Sequence, residues 1–186
     1  MQPDHRILAR AAGIKLVIFD VDGVLTDGRI VLGADGSESK NFCVRDGLGM
    51  VMLRESGVDI AIITGRDSPI VDQRMKELGI DLVFQGQTDK SAAFERLCAK
   101  LGLDGAAVCY VGDDLPDIPV MARVGLPVAV ADANWKLSEF AAYRTTAEGG
   151  SGAAREVCEL IMSAQGTLAR QMSRFDPLAE ISADDA

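Results

Sequence analysis

Two acidic clusters, a threonine turn and a lysine carry most of the chemistry this chain can offer. Asp20 and Asp22 lie two residues apart in Asp20-Val21-Asp22-Gly23, and Asp113 and Asp114 follow Gly112. Between them come Thr64-Gly65-Arg66 and, later, Lys90. Two carboxylates brought within a few ångströms repel unless one is protonated or a cation bridges them. A hard divalent ion fits such a pair, and magnesium suits few carboxylates completed by water and phosphate. A cation, the Lys90 ammonium, the Thr64 hydroxyl and the backbone amides around Thr64-Gly65 would together cradle a phosphoryl group. A carboxylate at Asp20 could then attack phosphorus. Asp22 is placed to protonate the leaving oxygen and afterwards to activate water. Each cluster alone also reads structurally: a turn after a strand, helix N-caps at Asp113-Asp114, a plain turn at Thr64-Gly65, a solvated helix lysine. Their joint order, each following a strand, favours the chemical reading.

The elements that must position them are short apolar runs. Leu16–Phe19, Val58–Ile63 and Ala107–Val111 are nearly continuous, with Leu82–Phe84 and Val128–Val130 as shorter companions. Such runs predict strands buried on both faces of a parallel sheet. Helical patterns lie between them at 47–54, 69–78, 91–101, 119–124 and 153–164, several closed by glycine. The expected fold is α/β: a doubly wound, mostly parallel, Rossmann-like sheet in a single domain, with its core over about 14–165. In such sheets ligands bind at the carboxyl ends of the strands, so the four polar clusters are expected to converge on one rim. Residues 28–43 break the alternation and read as a β-hairpin turning at Asp35-Gly36. The polar tail, 166–186, is expected to fray.

Composition removes other classes. Net charge is -9, and no Lys/Arg block could neutralise a row of phosphates, so no nucleic-acid partner is expected. No apolar run is long enough to span a bilayer and the first residues lack a signal-peptide pattern, so a cytoplasmic chain without a membrane partner is expected. The four cysteines form no C-x-x-C pair and read as buried free thiols. The only histidine, His5, lies near the N-terminus, which leaves no base for a serine or cysteine nucleophile of the familiar kind.

The set Asp20-Val21-Asp22-Gly23-Val24-Leu25-Thr26, Ile63-Thr64-Gly65-Arg66, Lys90 and Gly112-Asp113-Asp114-Leu115-Pro116-Asp117 resembles the haloacid dehalogenase superfamily of phosphohydrolases. That resemblance implies Asp20 as nucleophile, Asp22 as general acid/base, and Thr64 and Lys90 on the phosphoryl group. It implies magnesium held by Asp20, the Asp22 backbone carbonyl and Asp113, with Asp114 and Asp117 in support. Further segments, from Asp27-Gly28 through the hairpin, Val44–Gly49, Gln85–Lys90 and Gly149–Glu156, are similar to the phosphatases of 3-deoxy-D-manno-octulosonate 8-phosphate. This closer likeness implies hydrolysis of that sugar-acid phosphate on the route to lipopolysaccharide. It also implies no cap domain and a homotetramer assembled through the hairpin, with a neighbour's tail helping to close the site.

The spacing agrees with a capless fold, because 42 residues from Asp22 to Thr64 and 23 from Lys90 to Asp113 leave no room for a lid domain. Arg66 could pair with a sugar-acid carboxylate. Relatives that act on nine-carbon sialic-type phosphates typically carry glutamate at this position, so Arg66 favours the eight-carbon substrate. Arg74, and Arg155 after the Gly149–Gly152 stretch, are further candidates for substrate binding. Asn134-Trp135 departs from the family's more frequent His-Pro, and no loss of chemistry is expected from it. The competing readings are a phosphatase for another sugar phosphate, a phospho-receiver module and an inactive subunit. Asp22 argues against the receiver, since holding phosphate as a signal needs no second carboxylate.

Overall fold

The computed structural model describes residues 4–176. Met1-Gln2-Pro3 and the tail beyond Asp176, including the acidic end of the segment expected to fray, lie outside the described residues. In chain order the strands are β1 (Leu16–Phe19), β2 (Val31–Leu32), β3 (Glu38–Ser39), β4 (Asp59–Ile63), β5 (Leu82–Phe84), β6 (Val108–Gly112), β7 (Leu126–Ala129) and β8 (Tyr143–Arg144). The helices are α1 (His5–Ala12), α2 (Val44–Glu55), α3 (Pro69–Glu77), α4 (Lys90–Leu101), α5 (Ile118–Met121), α6 (Ala153–Ala164) and α7 (Leu168–Ser173).

The main sheet has the order β5-β4-β1-β6-β7-β8, and every neighbouring pair in it is parallel. β1, β6 and β7 are buried along their whole length, which is why their sequences run apolar without alternation. The chain winds outward from β1 to β4 and β5, then crosses back to β6, β7 and β8. Right-handed crossovers put α2 and α3 on one face and α4 and α5 on the other. Packing agrees: α6 lies against α2 and α1, and α4 against α5. The reversal of winding at β1/β6 opens a crevice at the carboxyl ends of those two strands.

Element ends follow local chemistry. Pro69 opens α3, Asp89 caps α4 by accepting from the Ser91 and Ala92 N–H groups, and Gly102 closes α4 in the left-handed conformation. Several expectations are revised. The hairpin spanning 28–43 pairs only two residues per strand around its Asp35-Gly36 turn. The helix expected at 119–124 is a single turn, because Leu115–Asp117 forms a 3-10 turn first. α1, capped by Asp4, and β8, only two residues long, add to the expected elements. Part of the segment expected to fray is the helix α7, where Gln171 is buried and Arg174 pairs with Glu55.

Candidate active site

A cavity of about 350 Å³ opens at the carboxyl ends of β1, β4 and β6. Asp20, Asp22, Thr64, Gly65, Arg66, Lys90, Asp113, Asp114 and Asp117 all line it. The register explains the convergence: Phe19 pairs with Val111 and with Ile62, so the residues that follow leave the sheet side by side.

At the floor, Lys90 is buried between two carboxylates. Its Nζ lies 3.0 Å from Asp20 Oδ2 and 2.6 Å from Asp117 Oδ1. Burial works to lower the lysine pKa, but Asp20 and Asp117 outweigh it and hold the ammonium above its usual value. Asp117 is fully engaged. Its Oδ1 also accepts from the Tyr110 hydroxyl at 2.7 Å, and its Oδ2 accepts the N–H groups of Asp113 at 2.9 Å and Asp114 at 3.2 Å. It thus fixes both Lys90 and the loop carrying Asp113.

Asp20 Oδ1 is different: among the described residues it is the only buried side-chain N or O atom without a hydrogen-bond partner. Oxygens of Asp20, Asp113 and Asp117 lie within 4.8 Å of one another. Burial pushes the Asp20 carboxyl up to about 6, with Lys90 pulling it down and Asp117 adding to the rise. Burial, then Asp20 and Asp117, push Asp113 up to about 8. An orphaned oxygen beside a second uncompensated carboxylate is the donor set a hard divalent cation would satisfy. Asp20, Asp113 and a nearby backbone carbonyl therefore fit magnesium. Asp117, already committed to Lys90, Tyr110 and two amides, suits a supporting role.

Two glycines make the approach possible. A Cβ on Gly23, whose φ is +94°, would sit 2.1 Å from Asp113 Oδ2, and one on Gly112 would sit 2.5 Å from Asp117 Oδ2. The Gly149–Gly152 segment backs the same loop: a Cβ on Gly149 would lie 1.8 Å from the Gly23 carbonyl oxygen, and Gly150 N donates to Val24 O at 2.9 Å.

At the rim, Asp22 faces cations rather than the buried cluster. Its Oδ1 is paired with Lys40 Nζ, and its Oδ2 lies 3.7 Å from Arg66 Nε. Thr64 is buried, with its N–H bonded to Phe84 O, while Gly65 lines the cavity. Asp114 Oδ1 accepts from Asn134 Nδ2 at 2.9 Å. The departure at Asn134-Trp135 thus leaves Asn134 supporting the loop of Asp114, with Trp135 exposed.

Arg74 and Arg155 do not line this cavity. Arg74 pairs with Glu77 and lies over the Phe42 ring, because the helical turn from Arg66 carries it along α3 away from the rim. Arg155 pairs with Glu159 on α6, and its N–H donates to Asp46 of α2 at 2.8 Å. No motif or spacing in the sequence points to a site role for Glu38, Lys40, Ser68 or Tyr110. Tyr110 looked like one more apolar strand residue. Glu38 and Lys40 sit in a hairpin read only as an assembly surface, and no spacing signal ties them to Asp22.

Residues 43–125 match a family described as haloacid dehalogenase-like hydrolase. The 3-deoxy-D-manno-octulosonate 8-phosphate phosphatase KdsC of Yersinia pestis is 51% identical over 162 residues, 87% of either chain. The KdsC of Escherichia coli K12 is 51% identical over 87% of this chain and 86% of its own. The structure of the Moraxella catarrhalis phosphatase of the same name, in complex with magnesium ion, phosphate ion and KDO, superposes with a TM-score of 0.91. It is 44% identical and covers 94% of this chain and 100% of that one.

Proposed function

The chain belongs to the 3-deoxy-D-manno-octulosonate 8-phosphate phosphatases of the haloacid dehalogenase-like hydrolases, and from that premise we propose that Asp20 attacks the phosphoryl group of this sugar acid. The chain is a magnesium-dependent phosphomonoesterase, and its product is the free sugar acid that feeds lipopolysaccharide precursors. The observation that carries the residue-level reading is Asp20 itself: one oxygen pinned by Lys90, the other buried and unpartnered, in a cluster with Asp113 and Asp117.

In this reading a carboxylate oxygen of Asp20 forms the bond to phosphorus as the ester P–O bond breaks. Asp22, at the rim, gives its proton to the departing sugar oxygen. The same carboxylate then takes a proton from water, which attacks the aspartyl phosphate and releases inorganic phosphate. Lys90 stabilises the negative charge on the phosphoryl oxygens, joined by the Thr64 hydroxyl and the amides of Gly65 and Arg66. Magnesium, held by Asp20, the Asp22 carbonyl and Asp113, would supply the charge neutralisation that lets two carboxylates and a phosphate share this space. Asp114 and Asp117 hold the loop that carries Asp113. Arg66, half exposed at the mouth, would pair with the substrate carboxylate.

Assembly and location belong to the same proposal. The hairpin exposes Ile30, Val31 and Leu32 in a row, an apolar strip of the kind that oligomer interfaces cover. We assign it to a homotetramer contact, in which Arg74 and Arg155 would serve a site only through a neighbouring copy. The phosphorylated substrate, four free cysteines and the absence, among the described residues, of a helix able to cross a membrane support a cytoplasmic enzyme.

Phosphate release tests the reading. Without metal the chain should release none from 3-deoxy-D-manno-octulosonate 8-phosphate, and magnesium added after chelation should restore turnover. A nine-carbon sialic-type 9-phosphate should react at least about tenfold more slowly in kcat/KM. Undiminished turnover in EDTA, or preference for the nine-carbon ester, would overturn it.

A further inference from the structure

We propose that Glu38, carried into the site by β3, is a positioning residue for Arg66 and so sets the preference for substrates bearing a carboxylate. The inference rests on the substrate reading above and extends it to a residue of the hairpin. Side chains two apart on an extended strand point the same way. Glu38 and Lys40 accordingly both face the cavity rim, where Lys40 meets Asp22 and its side chain is only 1% exposed. Glu38 has three partners, two of them in the loop between β4 and α3. Its Oε1 accepts from Arg66 Nη2 at 3.0 Å and lies 3.5 Å from Lys40 Nζ. Its Oε2 accepts from Ser68 Oγ at 2.9 Å.

Ser68 is the telling partner. It occupies the N-cap of α3, where a serine hydroxyl ordinarily bonds the first free amides of the helix. Here it makes no such bond and is given to Glu38 instead, while the Gln85 side chain accepts the Ser68 N–H at 2.9 Å. The Ser68 hydroxyl first, then the Arg66 guanidinium, hold the Glu38 carboxyl below the usual carboxylate range. A lone exposed Arg–Glu pair would count for little. A carboxylate fixed from its far side by a buried serine is a rigid post for the guanidinium.

Arginine has five donors, and the Nη2 contact with Glu38 leaves others for a carboxylate. A long side chain held in one rotamer beforehand loses less freedom when ligand binds. Removing Glu38 should therefore weaken binding of a carboxylate substrate more than it slows chemistry. The opposing effect, relief of the Glu38 charge that competes for Arg66, is screened at the exposed mouth.

Steady-state kinetics on the full chain decide the matter, with 3-deoxy-D-manno-octulosonate 8-phosphate and p-nitrophenyl phosphate as the two substrates. Glu38→Ala should raise KM for the sugar acid about tenfold with kcat within threefold, so that selectivity over p-nitrophenyl phosphate falls about tenfold. Glu38→Gln, which keeps the shape and one acceptor, should recover at least half of that selectivity. Arg66→Ala combined with Glu38→Ala should lose no more selectivity than Arg66→Ala alone, since one acts through the other. An equal fall on both substrates, an improved KM, or losses that multiply in the double variant would overturn the positioning role. If the unsubstituted chain cleaves p-nitrophenyl phosphate but not the sugar acid, the substrate reading falls first and takes this inference with it.

Discussion

At the scale of single residues the site is a problem of crowded negative charge. Asp20, Asp113 and Asp117 share one corner with a single buried ammonium, Lys90, to balance them. Asp20→Asn would remove the proposed nucleophile and metal-binding carboxylate while keeping the side chain's volume. Turnover should fall by at least about 10³-fold with the melting temperature and oligomer preserved, and activity within tenfold of the parent would refute the role. The same crowding makes stability depend on pH. Asp20 and Asp113 titrate near 3.8 when exposed, but in the fold they are pushed up to about 6 and about 8. The folded state thus binds protons more tightly than the unfolded chain. The stability these groups contribute is full below about 3.8 and is lost as pH rises through 6 and 8 in metal-free protein. Magnesium requires the deprotonated forms, so it should raise the melting temperature more at pH 8.5 than at pH 5.5. Scanning calorimetry with and without magnesium reads this directly, and equal gains at both pH values would contradict it.

Among the elements, the loops after β1 and β6 are only as good as the backbone that supports them. The Gly149–Gly152 segment packs on the backbone of Gly23 and Thr26. α6 begins just beyond it and is tied to α2, because Asp46 accepts from Gly152 N at 3.2 Å and Arg155 N at 2.8 Å. A displacement at Gly149 would therefore pass to Gly23 and from there to Asp113. Gly149→Ala should cost about 1–3 kcal/mol by denaturant melting and lower kcat at least about tenfold. Gly13→Ala, whose Cβ would meet nothing closer than 3.7 Å, should keep both and serves as the control. Loss of stability at Gly149 with unaltered kcat would show that the segment only fills space.

At the scale of the whole molecule, the missing lid shapes the rest. The cavity lies open at a sheet rim, and the nearby hairpin exposes apolar Ile30, Val31 and Leu32. Leu32 is 67% exposed, unusual for a large apolar side chain in a strand. If the proposed tetramer forms through this strip, Leu32→Asp should yield smaller species in light scattering after gel filtration, while each chain keeps its melting transition. An unsubstituted chain that elutes as a monomer would remove the interface outright. The pairing of Glu38 and Lys40 with Arg66 and Asp22 ties this surface to the chemistry, since both belong to the same few residues.

Much of this could be read from the chain alone. The buried strands are legible because strands covered on both faces need uninterrupted apolar side chains, as in Leu16–Phe19 and Val108–Val111. The gathering of Asp20, Thr64, Lys90 and Asp113 follows from that pattern, since whatever comes after parallel strands must emerge at one rim. What tertiary structure alone decided lies where no periodicity acts. The hairpin has two paired residues per strand, and its place is set by contacts from Lys40 to Asp22 and from Glu38 to Arg66 and Ser68, 18 to 30 residues apart. Arg74 and Arg155 looked as available as Arg66, and only the direction of α3 and α6 turned them to Glu77 and Glu159. Local chemistry specifies an element and what stands at its end; the direction in which a side chain on a weakly paired loop or a helix flank points is settled by packing among residues far apart in the chain.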